Sequence, residues 1–322
     1  MGGKLFNLPR MPRADYLERE REVRAYLDRE LAGAYRIPRY YADKSDFGDM
    51  DVLVASVPDW STRRLAIAAA LGVTEHKVVG HVFSCDYRGL QTDFFAVPAA
   101  QLDATHAYLS FNDVGNFIGR MAKRFGLIYG EGGLHYVYRR PNGSYRADLA
   151  LSQDWSKILP FFGLDFAHWE RGFASLEELF GWVIASPYFS VRPYLDGVDG
   201  PMDHRQSVRS TVSRFVAYLR AHEVDKRWDP PATEVLFAQV CDAFAEADLP
   251  AQLAAEHALT AREEVLRAKF SGKRVQALRP ALSGKELGAM ITAMRASRED
   301  FEQWIVASDQ TEIDAWVLAF GR

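Results

Sequence analysis

The chain has 322 residues, 48% of them hydrophobic and 25% charged, a composition ordinary for a soluble globular protein and long enough for two domains. Its formal net charge of −4 excludes a globally basic surface for gripping nucleic acid, although a local basic groove is compatible with that total. Its two cysteines lack Cys-x-x-Cys spacing and its eight histidines are scattered, which argues against a disulfide scaffold or a zinc site and fits a reducing cytosol.

The chain opens Met1-Gly2-Gly3-Lys4, without the apolar core of a signal peptide and without Ser or Thr at position 6 for myristoylation. No apolar run reaches the roughly twenty residues of a membrane span, so a cytoplasmic protein without membrane association is expected. Residues 12–32 read as a charged amphipathic helix, in which Tyr16, Val23, Tyr26, Leu27 and Leu31 recur at helical spacing. Such a helix is expected to pack across a sheet. The stretch Ala34 to Tyr41, broken by Pro38, reads as extended.

Lys44-Ser45-Asp46-Phe47-Gly48-Asp49-Met50-Asp51-Val52-Leu53-Val54 is a short polar turn running into an apolar strand. Gly48 lets the backbone turn tightly. Side chains alternate faces along a strand, so Asp49 and Asp51 project to the same side. Two adjacent carboxylates repel and are costly to keep unless a cation lies between them. Mg²⁺ (or Mn²⁺) suits such a site, because it takes oxygen ligands and keeps places for water and substrate phosphates.

Pro58-Asp59-Trp60-Ser61 is a turn signal, with Ser61 or Thr62 as the cap of a helix over 63–71. Lys77 to Cys85 then reads as one strand, Asp86-Tyr87-Arg88-Gly89 as a turn, and Leu90 to Val97 as the return strand. Asp93 is the one acid in that return strand. If it neighbours the Asp49–Val54 strand, three carboxylates converge, enough to hold two divalent ions.

A helix is predicted over 112–125, with Val114, Phe117, Ile118, Met121 and Phe125 as its apolar stripe and Asn116, Arg120, Lys123 and Arg124 on another face. Leu134 to Tyr138 alternates as a strand, Pro141-Asn142-Gly143-Ser144 is a hairpin turn, and Asp148 to Leu151 returns to close the sheet. From Trp155 onward the pattern turns helical, over 156–162, 175–186, 207–221 and 233–245. The glycine-rich stretch 196–201 is expected to be a surface loop or a joint. The dense aromatics between 161 and 189 fit a helical core, with stacking on nucleic acid as the other reading. Near the end, Leu282-Ser283-Gly284-Lys285-Glu286-Leu287-Gly288 fits a capping box of Ser283 and Glu286, and Lys285 adds positive charge to that helix start.

The Ser-x₃-Asp-x-Asp-apolar pattern, followed about forty residues on by an apolar-Asp-apolar strand, resembles the DNA polymerase β-like nucleotidyltransferase superfamily. Where that group has Gly-Gly or Gly-Ser before its phosphate-gripping turn, this chain reads Tyr41-Ala42-Asp43-Lys44-Ser45. The resemblance covers roughly residues 40–100. It implies metal-dependent transfer of a nucleoside monophosphate from an NTP, with Asp49 and Asp51 on both metals and Asp93 on the catalytic one. It also implies that Lys44, Ser45 and Gly48, with Arg120 and Lys123 of the basic helix, hold the triphosphate. The Leu-x-Gly-x-x-Leu-Gly turn at 282–288 is similar to one in the helical body of CCA-adding enzymes.

The expected fold is α+β. A helical extension (1–40) precedes a small mixed-sheet catalytic domain of the polymerase β-like palm type (41–152), and an all-helical domain (153–322) follows. The favoured activity is addition of nucleotides to an RNA 3′ end, because a large helical partner suggests a macromolecular acceptor. Two alternatives stay open. One is a nucleotidyltransferase that makes an oligonucleotide signal or modifies a protein; the other is an inactive RNA-binding or scaffold member of the fold.

Overall fold

The computed structural model describes residues 5–196 and 210–321. The expected joint at 196–201 and the first residues of the helix expected over 207–221 lie, apart from Asp196, outside the described residues. The chain divides into two compact units. One holds the chain up to Tyr138 together with Tyr145–Ala247, and the other holds Arg139–Ser144 and Asp248 onward.

The first unit begins with β1 (Met11–Pro12), α1 (Arg13–Leu31), β2 (Tyr35–Arg36), β3 (Asp46–Phe47), β4 (Asp49–Ala55), α2 (Trp60–Ala70), β5 (His76–Val79), β6 (Val82–Tyr87) and β7 (Leu90–Val97). Five of these strands form a mixed sheet in the order β2-β4-β7-β6-β5. β4 and β7 run parallel at its centre, and β6 pairs antiparallel with β7. Their even-numbered face in β4 (Met50, Val52, Val54) packs with Tyr16, Val23, Leu27 and Leu31 of α1 and with Phe83, Cys85 and Phe94. The amphipathic helix therefore lies across the sheet, as its spacing predicts. Burying side chains such as these contributes about 1.5–3 kcal/mol each.

Three local expectations change in this region. The run Lys77 to Cys85 is not one strand but two, β5 and β6, joined by a turn in which Gly80 takes φ +59°. α2 starts at Trp60 with Asp59 as its N-cap, not Ser61 or Thr62, and no side chain bonds to that cap. The turn expected over 86–89 is shorter: Asp86 and Tyr87 stay in β6, and the hairpin turns through Arg88 and Gly89, both at positive φ, so that Tyr87 faces Leu90. Two left-handed residues in a two-residue loop match the twist of the flanking strands.

α3 (Leu102–Leu109) has no counterpart among the sequence expectations. α4 (Val114–Arg124) is the predicted basic helix. β8 (Leu127–Gly130), β9 (Gly133–Arg139) and β10 (Tyr145–Ser152) then form a separate sheet in the order β10-β9-β8. The strand around Asp148 thus does not close the first sheet, because it satisfies its ladder within its own meander.

Gly133 opens β9 at φ +98°, and a Cβ there would lie 2.3 Å from the Ser152 carbonyl oxygen. Gly133→Ala is expected to destabilise the protein by about 3 kcal/mol, from left-handed strain plus a clash with backbone that cannot swing aside. Chemical denaturation of the variant measures it.

Helices α5 (Trp155–Phe161), α6 (Phe166–Arg171), α7 (Leu176–Ala185), α8 (Arg192–Leu195), Ser210–Ala221 and Thr233–Ala243 complete the first unit. Asp154, Asp165 and Ser175 cap α5, α6 and α7 by accepting the backbone N–H of Ser156, His168 and Glu178. The aromatics of this region pack on one another and on α4: Phe117 meets Phe180 and Phe215, and Phe125 meets Phe161 and Phe162. In the second unit, Phe270, Val275, Met294, Phe301, Ile305, Ile313 and Val317 form the core of a helical cluster. Ser283 is the N-cap of the helix Gly284–Ala296 but makes no side-chain cap bond, so the expected capping box does not form. The fold is α+β, a mixed sheet with a helical C-terminal region.

Candidate metal centre

The odd-numbered side chains of β4 point away from α1. At the far end of that face, Leu53, Val97 and Leu102 pack together and α3 covers the sheet. At the near end the face carries Asp49 and Asp51. In the parallel pairing Asp51 lies directly opposite Asp93, and Asp49 opposite Gln91. Because alternation along a strand has period two, all four side chains share the face. Oxygen atoms from Asp49, Asp51 and Asp93 lie within 4.8 Å of one another.

Asp93 exposes the least surface of the three acids, 8%, while Asp49 and Asp51 keep partly exposed edges, although the Asp51 carboxyl is itself closely surrounded by protein. Asp93 Oδ2 accepts a 2.8 Å hydrogen bond from Gln91 Nε2, and Ser84, its cross-strand partner on β6, also interacts with the carboxylate. Its Oδ1 is buried and, among the described residues, has no hydrogen-bond partner. A buried oxygen without a donor is costly, by roughly 1–3 kcal/mol or more for a charged group. An all-oxygen set of three carboxylates with one such atom left open fits a divalent cation of the Mg²⁺ or Mn²⁺ type.

The electrostatics follow from this crowding. Burial, and then the Asp49 and Asp93 charges, push Asp51 up to about 8 against the pull of Lys44. Burial also raises the Asp93 carboxyl, while the hydrogen bonds from Ser84 and Gln91 hold it down. Without a cation the cluster therefore keeps protons that ordinary aspartates release.

The turn before β4 is fastened from outside. Arg13, at the start of α1, donates its backbone N–H to the Ser45 carbonyl at 2.9 Å and its guanidinium to the Lys44 carbonyl at 3.2 Å. Phe47 stacks on Tyr16 with ring centres 3.6 Å apart, and Tyr40 meets both rings edge-on. Arg10 pairs with Asp46 at 2.7 Å, while Met11 and Pro12 pair with β3. Ser45 is exposed and Gly48 buried. Gly48 is not among the residues at positive φ, so the chain turns there without a left-handed glycine.

Lys44 is half-buried. Its ammonium lies 4.4 Å from the centre of the Phe47 ring and 3.3 Å from Asn112 Oδ1. Burial lowers its pKa, and Asp49 leads the charges that oppose that shift. Asn112 reaches it from a loop in which Phe111 and Asn112 both take positive φ, at 58° and 62°. Arg39 braces that loop: its backbone carbonyl accepts the Phe111 N–H, and its guanidinium lies over Phe111 and Trp169 while donating to the carbonyls of Trp169 and Glu170. Lys44 and the entry to α4 are thereby brought together. Further along α4, Arg120 lies over the Tyr194 ring at 5.1 Å and Lys123 is exposed.

Gln91 and Ser84 belong to the site although neither carries a charge to attract notice. Gln91 follows from standing two residues before Asp93 on the same face, whereas Ser84 does not follow from the turn expected over 86–89; only the shorter observed turn at Arg88-Gly89 sets it opposite Asp93.

No protein-family model matches the chain, and no curated protein matches it. Among solved structures, Leishmania infantum polymerase beta in a ternary gap complex is similar over 42% of this chain and 53% of that one, with 16% sequence identity and a TM-score of 0.34. The chain thus spans about half the length of that polymerase. The Leishmania infantum polymerase beta of a ternary P/T complex is similar over 49% of this chain and 74% of that one, with 14% identity and a TM-score of 0.36.

Proposed function

We propose that the protein is a metal-dependent nucleotidyltransferase that moves a nucleoside monophosphate from an NTP to an acceptor, with an RNA 3′ end as the acceptor. The observation that carries this reading is the convergence of Asp49, Asp51 and Asp93 on one face, with a buried Asp93 oxygen left open. Asp49, Asp51 and Asp93 would hold the Mg²⁺ or Mn²⁺. Bound there, a divalent cation supplies neutralisation of the charge that develops on phosphoryl oxygens. In the reaction the acceptor hydroxyl oxygen bonds to the α-phosphorus, the bridge to the β-phosphorus breaks, and diphosphate leaves. Asp93 is the base assigned to the hydroxyl proton.

Lys44, whose ammonium feels the charges of Asp49 and Asp51, is assigned to the triphosphate together with exposed Ser45 and Gly48 of the same turn. Lys44 offers it a partly desolvated ammonium, and Arg120 and Lys123 are assigned to the same anion through α4. Catalysis of this kind rests on position and charge rather than on a covalent nucleophile. The RNA acceptor is proposed from the helical mass that follows residue 152, which a small-molecule acceptor would not need.

The test is purified protein with Mg²⁺ or Mn²⁺ and each labelled NTP in turn, with and without mixed RNA, resolved by gel and thin-layer chromatography. Label on RNA that Asp51→Asn abolishes is the expected result. Label in small RNA-independent products would replace the acceptor with a nucleotide and make the protein a signalling synthase. No product under any condition would overturn transfer to RNA or to a nucleotide and leave a protein acceptor or a binding-only role.

A further inference from the structure

The N-terminal segment is clipped to the same sheet face that bears the acids. Lys77, Ser84, Asp93 and Asp51 occupy one cross-strand row, through the pairs Lys77–Ser84, Ser84–Asp93 and Asp93–Asp51. The Leu5 backbone bonds at both of its ends here. Its N–H donates to Gln91 Oε1 at 3.1 Å, and its carbonyl accepts from Lys77 Nζ at 2.8 Å, with the same ammonium 4.7 Å from the centre of the Phe6 ring.

Gln91 therefore bridges two groups of opposite kind. A backbone N–H only donates and an ionised carboxylate only accepts, so one orientation of the amide satisfies both: oxygen to Leu5, nitrogen to Asp93. With the Leu5 N–H gone, only the bond to Asp93 is left to hold the amide, and its position is less fixed. The bond to Asp93 Oδ2 also decides which oxygen remains for a ligand, since Oδ1 is the atom left buried and open.

We propose that Gln91 is a positioning residue for Asp93, and that the N-terminal segment at Leu5 fixes the orientation in which its amide does so. This rests on reading the three acids as a metal site. Outer partners of metal ligands typically alter affinity by about 10–100-fold when removed.

The experiment is Mn²⁺ binding to the full chain, read from the free-ion electron paramagnetic resonance signal, with circular dichroism as the check on folding. Wild type should bind and Asp51→Asn should not. Gln91→Met, close to isosteric but without donor or acceptor, should weaken binding by about tenfold. Leu5→Pro removes that one N–H at a half-buried position and should weaken it by less, about threefold, with circular dichroism showing that the fold is kept. In the double variant Leu5→Pro should add nothing to Gln91→Met, because both act through one amide. A merely structural loss at two places would add.

If wild type binds and Asp51→Asn does not, yet Gln91→Met stays within about twofold of wild type, the positioning role is overturned and the metal site stands. Additive effects, or no effect of Leu5→Pro, would overturn the coupling to the N-terminal segment. No Mn²⁺ binding by wild type would sink the metal reading and this inference together.

Discussion

Asp51→Asn is expected to abolish nucleotidyl transfer, by at least about a thousandfold, while leaving the protein folded and its cation-free form more stable than wild type. Asp51 is the middle member of the cluster, two residues from Asp49 on its own strand and directly across from Asp93. Asparagine keeps its shape but removes the charge that a divalent cation needs. A thousandfold corresponds to about 4 kcal/mol of barrier, the scale of losing charge stabilisation at a phosphoryl group. The same change relieves the crowding that pushes Asp51 up to about 8. The stability gain separates this outcome from simple misfolding. Retained turnover in the folded variant would remove Asp51 from the site.

Much of that site is legible in the residues themselves, for reasons of period and register. Asp49 and Asp51 declare a shared face because strands alternate with period two. Asp93 declares itself as a lone charge in an apolar strand, where an unpaired acid is too costly to keep without purpose. What alternation does not reveal is which strands neighbour one another. β4 and β7 are parallel and separated by α2, β5 and β6, so their pairing depends on tertiary structure.

The errors have similar physical roots. The apolar run Lys77 to Cys85 hides a reversal at Gly80, since β-propensity on either side of it is continuous. β10 matches an edge of the first sheet as well as it matches β9 by pattern alone, and only the preceding meander decides. Ser61, Thr62 and Ser283 carry good capping chemistry, yet those helices begin without a side-chain cap bond. Asp154, Asp165 and Ser175 do cap, and nothing in their local sequence distinguishes them from the ones that fail.

The second large effect is a pH-dependent stabilisation by Mg²⁺. In the unfolded chain an aspartate such as Asp51 ionises near its ordinary value of 3.8, whereas in the fold it holds its proton up to about 8. Between those values the folded protein binds more protons than the unfolded one. By linkage, the contribution of this group to stability falls as pH rises from about 4 to about 8 and then levels off. One proton gives a slope of at most about 1.4 kcal/mol per pH unit. His106 works in the opposite direction over part of the range. Burial, first of all, lowers it from 6.5 to about 4, so its contribution rises with pH between those values.

Thermal unfolding should therefore be followed in chelator and in saturating Mg²⁺ across pH 5 to 9. Subtracting one curve from the other cancels His106, which lies on α3 and sees no cation in either condition. The cation requires the ionised carboxylates, so its binding expels the retained proton below about pH 8. The Mg²⁺-dependent gap in Tm should widen as pH rises towards 8 and flatten above it. Calorimetric titrations in buffers of different ionisation enthalpy should detect proton release at pH 6.5 and little at pH 9. In Asp51→Asn the gap should collapse and the chelator curve should lose the part of its fall that Asp51 supplies, leaving that of Asp93. A gap that stays constant across the range would mean that the cation, if it binds, does so elsewhere than among Asp49, Asp51 and Asp93.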